Sequence, residues 1–124
     1  MLLRFLTICF LLIGFNSCSK DKELVYEPQQ QVSPYDLYKE AFEAFEKNDF
    51  FFSSKKFSEA ELNFKDVDLA AKSAIMSSFS LYGINFYNEA SENLERYLKT
   101  YPSDKNVIYA HYLLAIISFE QISD

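Results

Sequence analysis

The chain has 124 residues, with 12 basic and 18 acidic side chains and a net charge of −6. That length suits one domain, and the charge lacks the basic face that a phosphate backbone requires, so no nucleic acid is expected as a partner. Two glycines, three prolines and 18 % aromatic residues without tryptophan favour helices over strands and point to a core built from Phe and Tyr.

Residues 1–17 read as an export signal. One early cation, Arg4, precedes the apolar run Phe5 to Phe15, and small polar residues Asn16 and Ser17 follow. Such a run is too short for a span of about 20 residues and fits a cleaved signal peptide. Phe15-Asn16-Ser17-Cys18 resembles a bacterial lipobox. The resemblance implies that Cys18 is acylated and becomes the mature N-terminus, and that Ser19 after it permits sorting to the outer membrane. An ordinary secreted form or an uncleaved anchor is the alternative. Cleavage would remove Cys9 and leave Cys18 alone, so no intramolecular disulfide is expected.

Residues 18–33 form the expected lipidated N-terminus and a polar, glutamine-rich tether containing Pro28. A helix then opens at Ser33-Pro34, with serine as cap, proline in the first turn and Asp36 near the positive end of the dipole. Leu37, Tyr38, Ala41, Phe42 and Phe45 recur at three- and four-residue steps, the mark of one apolar helix face. Asn48-Asp49 is a turn, and 50–64 is a second helix with Phe50, Phe57, Ala60 and Phe64 on one side. After the link Asp66-Val67-Asp68, the pattern predicts a helix over 69–82, a turn over 83–86, a helix over 87–100 and a last helix over 106–122. The last is apolar at Val107, Ile108, Leu114, Ala115, Ile116 and Phe119, and is expected to leave an exposed face at Leu113, Ile117 and neighbouring residues through which the chain self-associates or gains stability from a partner supplying the missing helix.

The chain repeats itself. Displaced by 37 residues, Phe45, Asn48, Phe50, Phe57 and Phe64 fall on Tyr82, Asn85, Tyr87, Leu94 and Tyr101. Tyr38, Ala41, Phe42 and Ser53 likewise fall on Ile75, Ser78, Phe79 and Ala90, and Tyr112, Ala115, Ile116 and Phe119 give the set a third time. A helical hairpin recurring every 35–40 residues or so is the mark of an α-solenoid. Small residues at 41, 53, 78 and 90 are expected where two helices cross closely. Ser78, Ala90 and Pro102 match the small positions and the proline of the tetratricopeptide repeat, which this unit resembles despite lacking its tryptophan. The expected fold is all-α: tetratricopeptide-like hairpins stacked as a short α-solenoid over residues 34–124, two complete hairpins and the first helix of a third.

Few residues suit catalysis. After the signal there is one glycine, Gly83, one histidine, His111, and no free thiol, which leaves no glycine-rich phosphate loop, His/Cys metal cluster or cysteine nucleophile. His111 reads as a packing or surface residue, and Glu89, Glu92 and Glu95 as a solvated face. No cofactor, metal or enzymatic activity is expected. The aromatic stripe Tyr35, Tyr38, Phe42, Phe45, Phe79, Tyr82, Tyr109 and Tyr112 is the candidate site. It is either packing between hairpins or a groove for an extended peptide with aromatic side chains.

The lipobox, the tether and the repeat wording together resemble the BamD (ComL) family of assembly lipoproteins. The residues carrying this are 33–48, the helix 88–101 with Glu95-Arg96-Tyr97-Leu98, and Tyr101-Pro102-Ser103-Asp104-Lys105-Asn106 leading to Tyr109 and Tyr112. Family members are about twice this length with five repeats, so a truncated form or a reduced partner set is expected. The resemblance implies a lipid-anchored scaffold at the periplasmic face of the outer membrane. Its expected partners are the barrel-forming (BamA-type) subunit, other assembly lipoproteins and unfolded barrel substrates. A scaffold in envelope or peptidoglycan maintenance, or in pilus assembly, is the alternative.

Overall fold

The computed structural model describes residues 32–123, so the expected signal peptide, Cys18 and the tether up to residue 31 lie outside the described residues. Five helices follow in order, α1 (Pro34–Glu46), α2 (Phe50–Asn63), α3 (Val67–Gly83), α4 (Tyr87–Thr100) and α5 (Val107–Ser123), with no strand among the described residues. The all-α, tetratricopeptide-like stack is the fold.

Side chains at the starts of the first three helices set their boundaries. Ser33 accepts from the Tyr35 N–H at 3.3 Å, and Asp49 from the Phe52 N–H at 3.2 Å. Asp66 accepts from the N–H groups of Asp68 and Leu69 at 3.0 and 3.1 Å. Each such cap stabilises a helix by about 1 kcal/mol. The Asp66 cap is why α3 starts at Val67, two residues before the expected Leu69. Residue 64 is already extended and ends α2 one residue early, and α5 is shifted one residue on, to Val107–Ser123. The helix over 87–100 is as expected.

The two tight turns are built alike. Among the described residues, Asn48 and Asn85 are the non-glycine residues at positive φ, 60° and 61°, a region Asn enters more readily than most side chains. They are the pair related by the 37-residue displacement, so the repeat carries its turn chemistry with it. Gly83, expected to open the second turn, instead ends α3 and is not at positive φ. A Cβ there would meet the Phe50 ring at 3.1 Å and require it to shift by a few tenths of an ångström, so glycine here serves close approach rather than backbone freedom.

Successive helices run antiparallel. In α1 and α2, Tyr35 meets Phe64, Tyr38 meets Phe57 and Phe45 meets Phe50. In α2 and α3, Ser53 bonds Ser80 and Ser58 bonds Ser77; between α3 and α4, Asn93 donates to Ser77. Helix ends therefore alternate between two edges. A tip edge holds the turns at 47–49 and 84–86. A link edge holds the start of α1 and the connections 64–66 and 101–106.

The core between these helices is not the aromatic one expected. Fully enclosed positions are mostly small: Ala41, Ala60, Ala71, Ala74, Ala90 and Ala110, with Ser53, Ser73, Ser78 and Ser80, all at 0 % exposure. Among the described aromatics only Phe57 and Tyr97 are fully buried. Small residues let the helix backbones approach, and the large rings are displaced to the rims of the contacts. The serines keep their hydrogen-bond capacity satisfied within the seam: Ser77 donates to the Ser54 carbonyl at 2.9 Å, and Ser73, Ser78 and Ser80 donate to carbonyls one turn back. No buried side-chain polar atom among the described residues lacks a partner.

A polar latch closes the link edge. Glu61, only 7 % exposed, accepts a bidentate pair from Arg96 at 2.6 and 2.7 Å and a third bond from the Tyr101 hydroxyl at 2.9 Å. Next to it the Tyr97 hydroxyl donates to Asp104, which also accepts from the Asn106 N–H at 2.9 Å. Burial, then the bond to Glu61, push the Tyr101 phenol up to about 12. Burial alone would raise Asp104, but the bonds from Tyr97 and Asn106 outweigh it and hold the carboxyl below its usual value.

Helix α5 corrects one expectation. Leu113 (2 %) and Ile117 (0 %) are buried against the preceding hairpin together with Ala110, so they offer no surface for self-association. The exposed side of α5 is instead Ile108, Tyr109, Tyr112 and Phe119.

Three outcomes follow from this packing. Ala90→Leu overpacks a fully enclosed site and lowers stability by about 1–3 kcal/mol, whereas the exposed Glu92→Gln leaves the stability within about 0.5 kcal/mol of the original. Equal shifts in thermal melts refute the close crossing. Arg96→Met leaves Glu61 buried and short of its strongest donor, at a cost of about 1–3 kcal/mol because Arg96 itself is partly exposed. The double variant Glu61→Leu with Arg96→Met recovers most of that loss in urea unfolding, since both charges leave together. For Tyr101 the folded-state value lies above the unfolded value of about 10, so its contribution is complete below pH 10 and is lost as pH rises toward 12. The melting temperature of the native chain therefore falls more steeply over that window than that of Tyr101→Phe.

Candidate functional site

The aromatic stripe divides in two. Phe45 from α1, Phe79 and Tyr82 from α3 and Tyr109 from α5 form one continuous series of rings, with centroids 5.8 Å (Phe45 to Phe79), 6.2 Å (Phe79 to Tyr82) and 6.4 Å (Phe79 to Tyr109) apart. Phe42 lies parallel beside Phe45 at 6.5 Å. Offset and edge-on pairs of this kind add about 0.5–1.5 kcal/mol each beyond the area they bury. Tyr35 and Tyr38 belong elsewhere. Tyr35 packs edge-on against Phe64 at 5.1 Å, and Tyr38 against Phe57 at 5.1 Å, so both serve the first hairpin's own packing. Tyr112 is 62 % exposed, one turn beyond Tyr109.

The first group frames a cleft. Phe45, Ile75, Met76, Phe79 and Tyr109 line an open hollow of about 520 Å³, with Lys72, Lys105 and Asn106 at its rim. The floor is apolar and the charged groups on the wall are both cations. Lys72 also sits 5.3 Å from the centre of the Tyr38 ring, a cation–π distance that holds its stem along the cleft. Burial, then the neighbouring phenols of Tyr112 and Tyr82, raise the Tyr109 hydroxyl above its ordinary value, so it remains a neutral hydrogen-bond donor at neutral pH.

The helical repeat is what brings these residues together. Phe42 and Phe79 are repeat equivalents, as are Phe45 and Tyr82, so matching faces of α1 and α3 turn their rings to the same side. The rim residues were not visible in the aromatic pattern: Lys72 falls on Tyr35 under the 37-residue displacement, so a search for repeated rings passes over it. Glu61 and Arg96 also escape it, because their partnership crosses from one hairpin to the next. Glu89, Glu92, Glu95 and His111 are exposed, and no group of three metal-ligating side chains occurs among the described residues. The cleft can accept a large apolar or aromatic side chain while its rim holds a carboxylate or peptide carbonyl. It presents no nucleophile paired with a base.

No described helix is long and apolar enough to cross a membrane. No solved structure matches the chain. Among curated proteins it is similar to the outer membrane protein assembly factor BamD of Caulobacter vibrioides, 35 % identical over 68 residues, which is 55 % of this chain and 22 % of that protein. The match thus spans about a fifth of the relative's length. The family model YfiO, described as an outer membrane lipoprotein, matches residues 30–124 and so takes in all five helices and the cleft: the chain belongs to the YfiO family of outer membrane lipoproteins, as a BamD-type protein.

Proposed function

We propose that the chain is a scaffold for outer-membrane protein assembly, anchored through an acylated Cys18, whose repeats bind partner subunits and unfolded barrel proteins. In this reading the barrel-forming subunit and other assembly lipoproteins are its partners. The cleft receives aromatic side chains of an extended substrate segment. The observation that carries the binding role is the cleft itself, an apolar floor of Phe45, Phe79 and Tyr109 with Lys72 and Lys105 on its rim. Outer-membrane barrel proteins commonly carry aromatic residues at their chain ends, so a segment with alternating aromatic side chains fits both the floor and the cationic rim. Membership in the lipoprotein family and the named role of the Caulobacter relative favour assembly over other envelope tasks.

The test uses a fluorescent peptide of about ten residues with alternating aromatic side chains. Anisotropy titration is expected to show saturable binding that weakens about tenfold in Tyr109→Ser, the ~1.4 kcal/mol scale of losing one aromatic anchor. Lys105→Glu weakens it further at low salt. Equal affinity in all three proteins refutes the cleft as the site. Pull-down from solubilised envelope reads the partner role separately: recovery of the barrel-forming subunit supports it, and recovery of peptidoglycan or pilus components instead overturns it.

A further inference from the structure

The two cations on the rim of the cleft are held in different ways. Lys72 stands inside α3, and its amine lies over the Tyr38 ring. Lys105 stands on the connection 101–106, outside both α4 and α5, so no helix backbone fixes its place. Asn106 beside it also lines the cleft, while Pro102 and Ser103 earlier in the connection are exposed. A charge that a ligand must meet at a set distance needs a support, and for Lys105 that support lies outside the cleft.

The Asp104 carboxylate supplies it. It accepts from the Asn106 N–H at 2.9 Å, which folds the connection on itself, and from the Tyr97 hydroxyl, which reaches it from inside the molecule. Tyr97 is fully buried, in one cluster with Ala90, Leu94, Ala110 and Leu113, so its ring is a fixed post. Burial, then the bond to Asp104, raise its phenol above the ordinary value, which keeps it a neutral donor. Burial alone would raise Asp104. The bond from Tyr97 leads the groups that lower it, and the charge of Lys105 comes last. The carboxylate is thus committed to the core side of the connection and does not neutralise the lysine next to it.

Helix α5 does not depend on this bond. Ala110, Leu113 and Ile117 are buried against the preceding hairpin and seat Tyr109 beside Phe79 without help from the connection. The apolar floor of the cleft and its cationic rim are therefore fixed separately. We propose, on the reading of the cleft as the binding site, that Tyr97 and Asp104 are positioning residues for its ligand. Their bond keeps Lys105 available to the cleft, and thereby makes the cleft select aromatic segments that carry a carboxylate over neutral ones. Neither residue lines the cleft, and both act through Lys105.

Two fluorescent peptides with alternating aromatic side chains, differing only by a Glu in place of a Gln, are titrated by anisotropy against the full chain at low salt. The native chain is expected to prefer the Glu peptide about fivefold, the scale of an exposed ion pair. Tyr97→Phe removes one hydroxyl and keeps the ring. It is expected to bind the Gln peptide as the native chain does, while its preference falls to about twofold as one of the two rim cations is lost to the ligand. Lys105→Gln gives the same loss, and the double variant loses no more, because the two changes act through one group. Asp104→Asn keeps an acceptor oxygen for both donors and retains at least the native preference, which reads the bond without touching the core. An undiminished preference in Tyr97→Phe, additive losses in the double variant, or loss of preference in Asp104→Asn overturns the positioning role and leaves the cleft standing. So does a native chain that binds both peptides equally. Saturable binding of neither peptide by the native chain overturns the cleft reading and this proposal with it.

Discussion

The architecture depends on how closely its helices approach. Ala41, Ser53, Ser78 and Ala90 are wholly enclosed, and each stands where a larger side chain would force two backbones apart. Close approach improves dispersion contacts along the whole helix, but it leaves little apolar volume per residue. The fold makes up the difference at the margins of the contacts. Large rings such as Tyr38, Phe45, Phe79 and Tyr82 pack half-buried beside the small seam, and their outer faces remain accessible. A cleft lined by aromatic residues is therefore a by-product of tight helix packing as much as a binding device.

The same constraint explains the polar content of the interior. Serine has nearly the volume of alanine, and in a helix its hydroxyl can bond the carbonyl one turn back. Ser73, Ser78 and Ser80 do this, while Ser53 and Ser58 reach across to the neighbouring helix. These cross-helix bonds carry direction and register, which a purely apolar small-residue contact would leave loose.

Much of this was legible in the sequence because it is periodic. The displacement by 37 residues located the hairpins, the small positions and the pair of asparagines that turn the chain, and the structure gives those asparagines nearly identical φ angles. What periodicity could not resolve was which side of a uniformly apolar helix is covered. In α5 apolar residues occupy every face, so the pattern did not separate the buried Leu113 and Ile117 from the exposed Ile108 and Phe119. Aromatic abundance misled in the same way, since a ring's size suggests a core while the spacing between helices admits only alanine or serine. The helix start at Val67 depended on which of two aspartates caps it, a local competition that composition does not decide. The cleft's aromatic floor was read correctly as a stripe, but its lysines lie outside the repeat and became visible only in three dimensions.

The Glu61–Arg96 pair joins helices that are not neighbours in the chain, across 35 residues of sequence. In helical-repeat arrays, coupling runs between adjacent units. Here that coupling has a polar component: the end of the first hairpin is tied to the second half of the next, and loosening α4 releases a carboxylate that α2 holds in place.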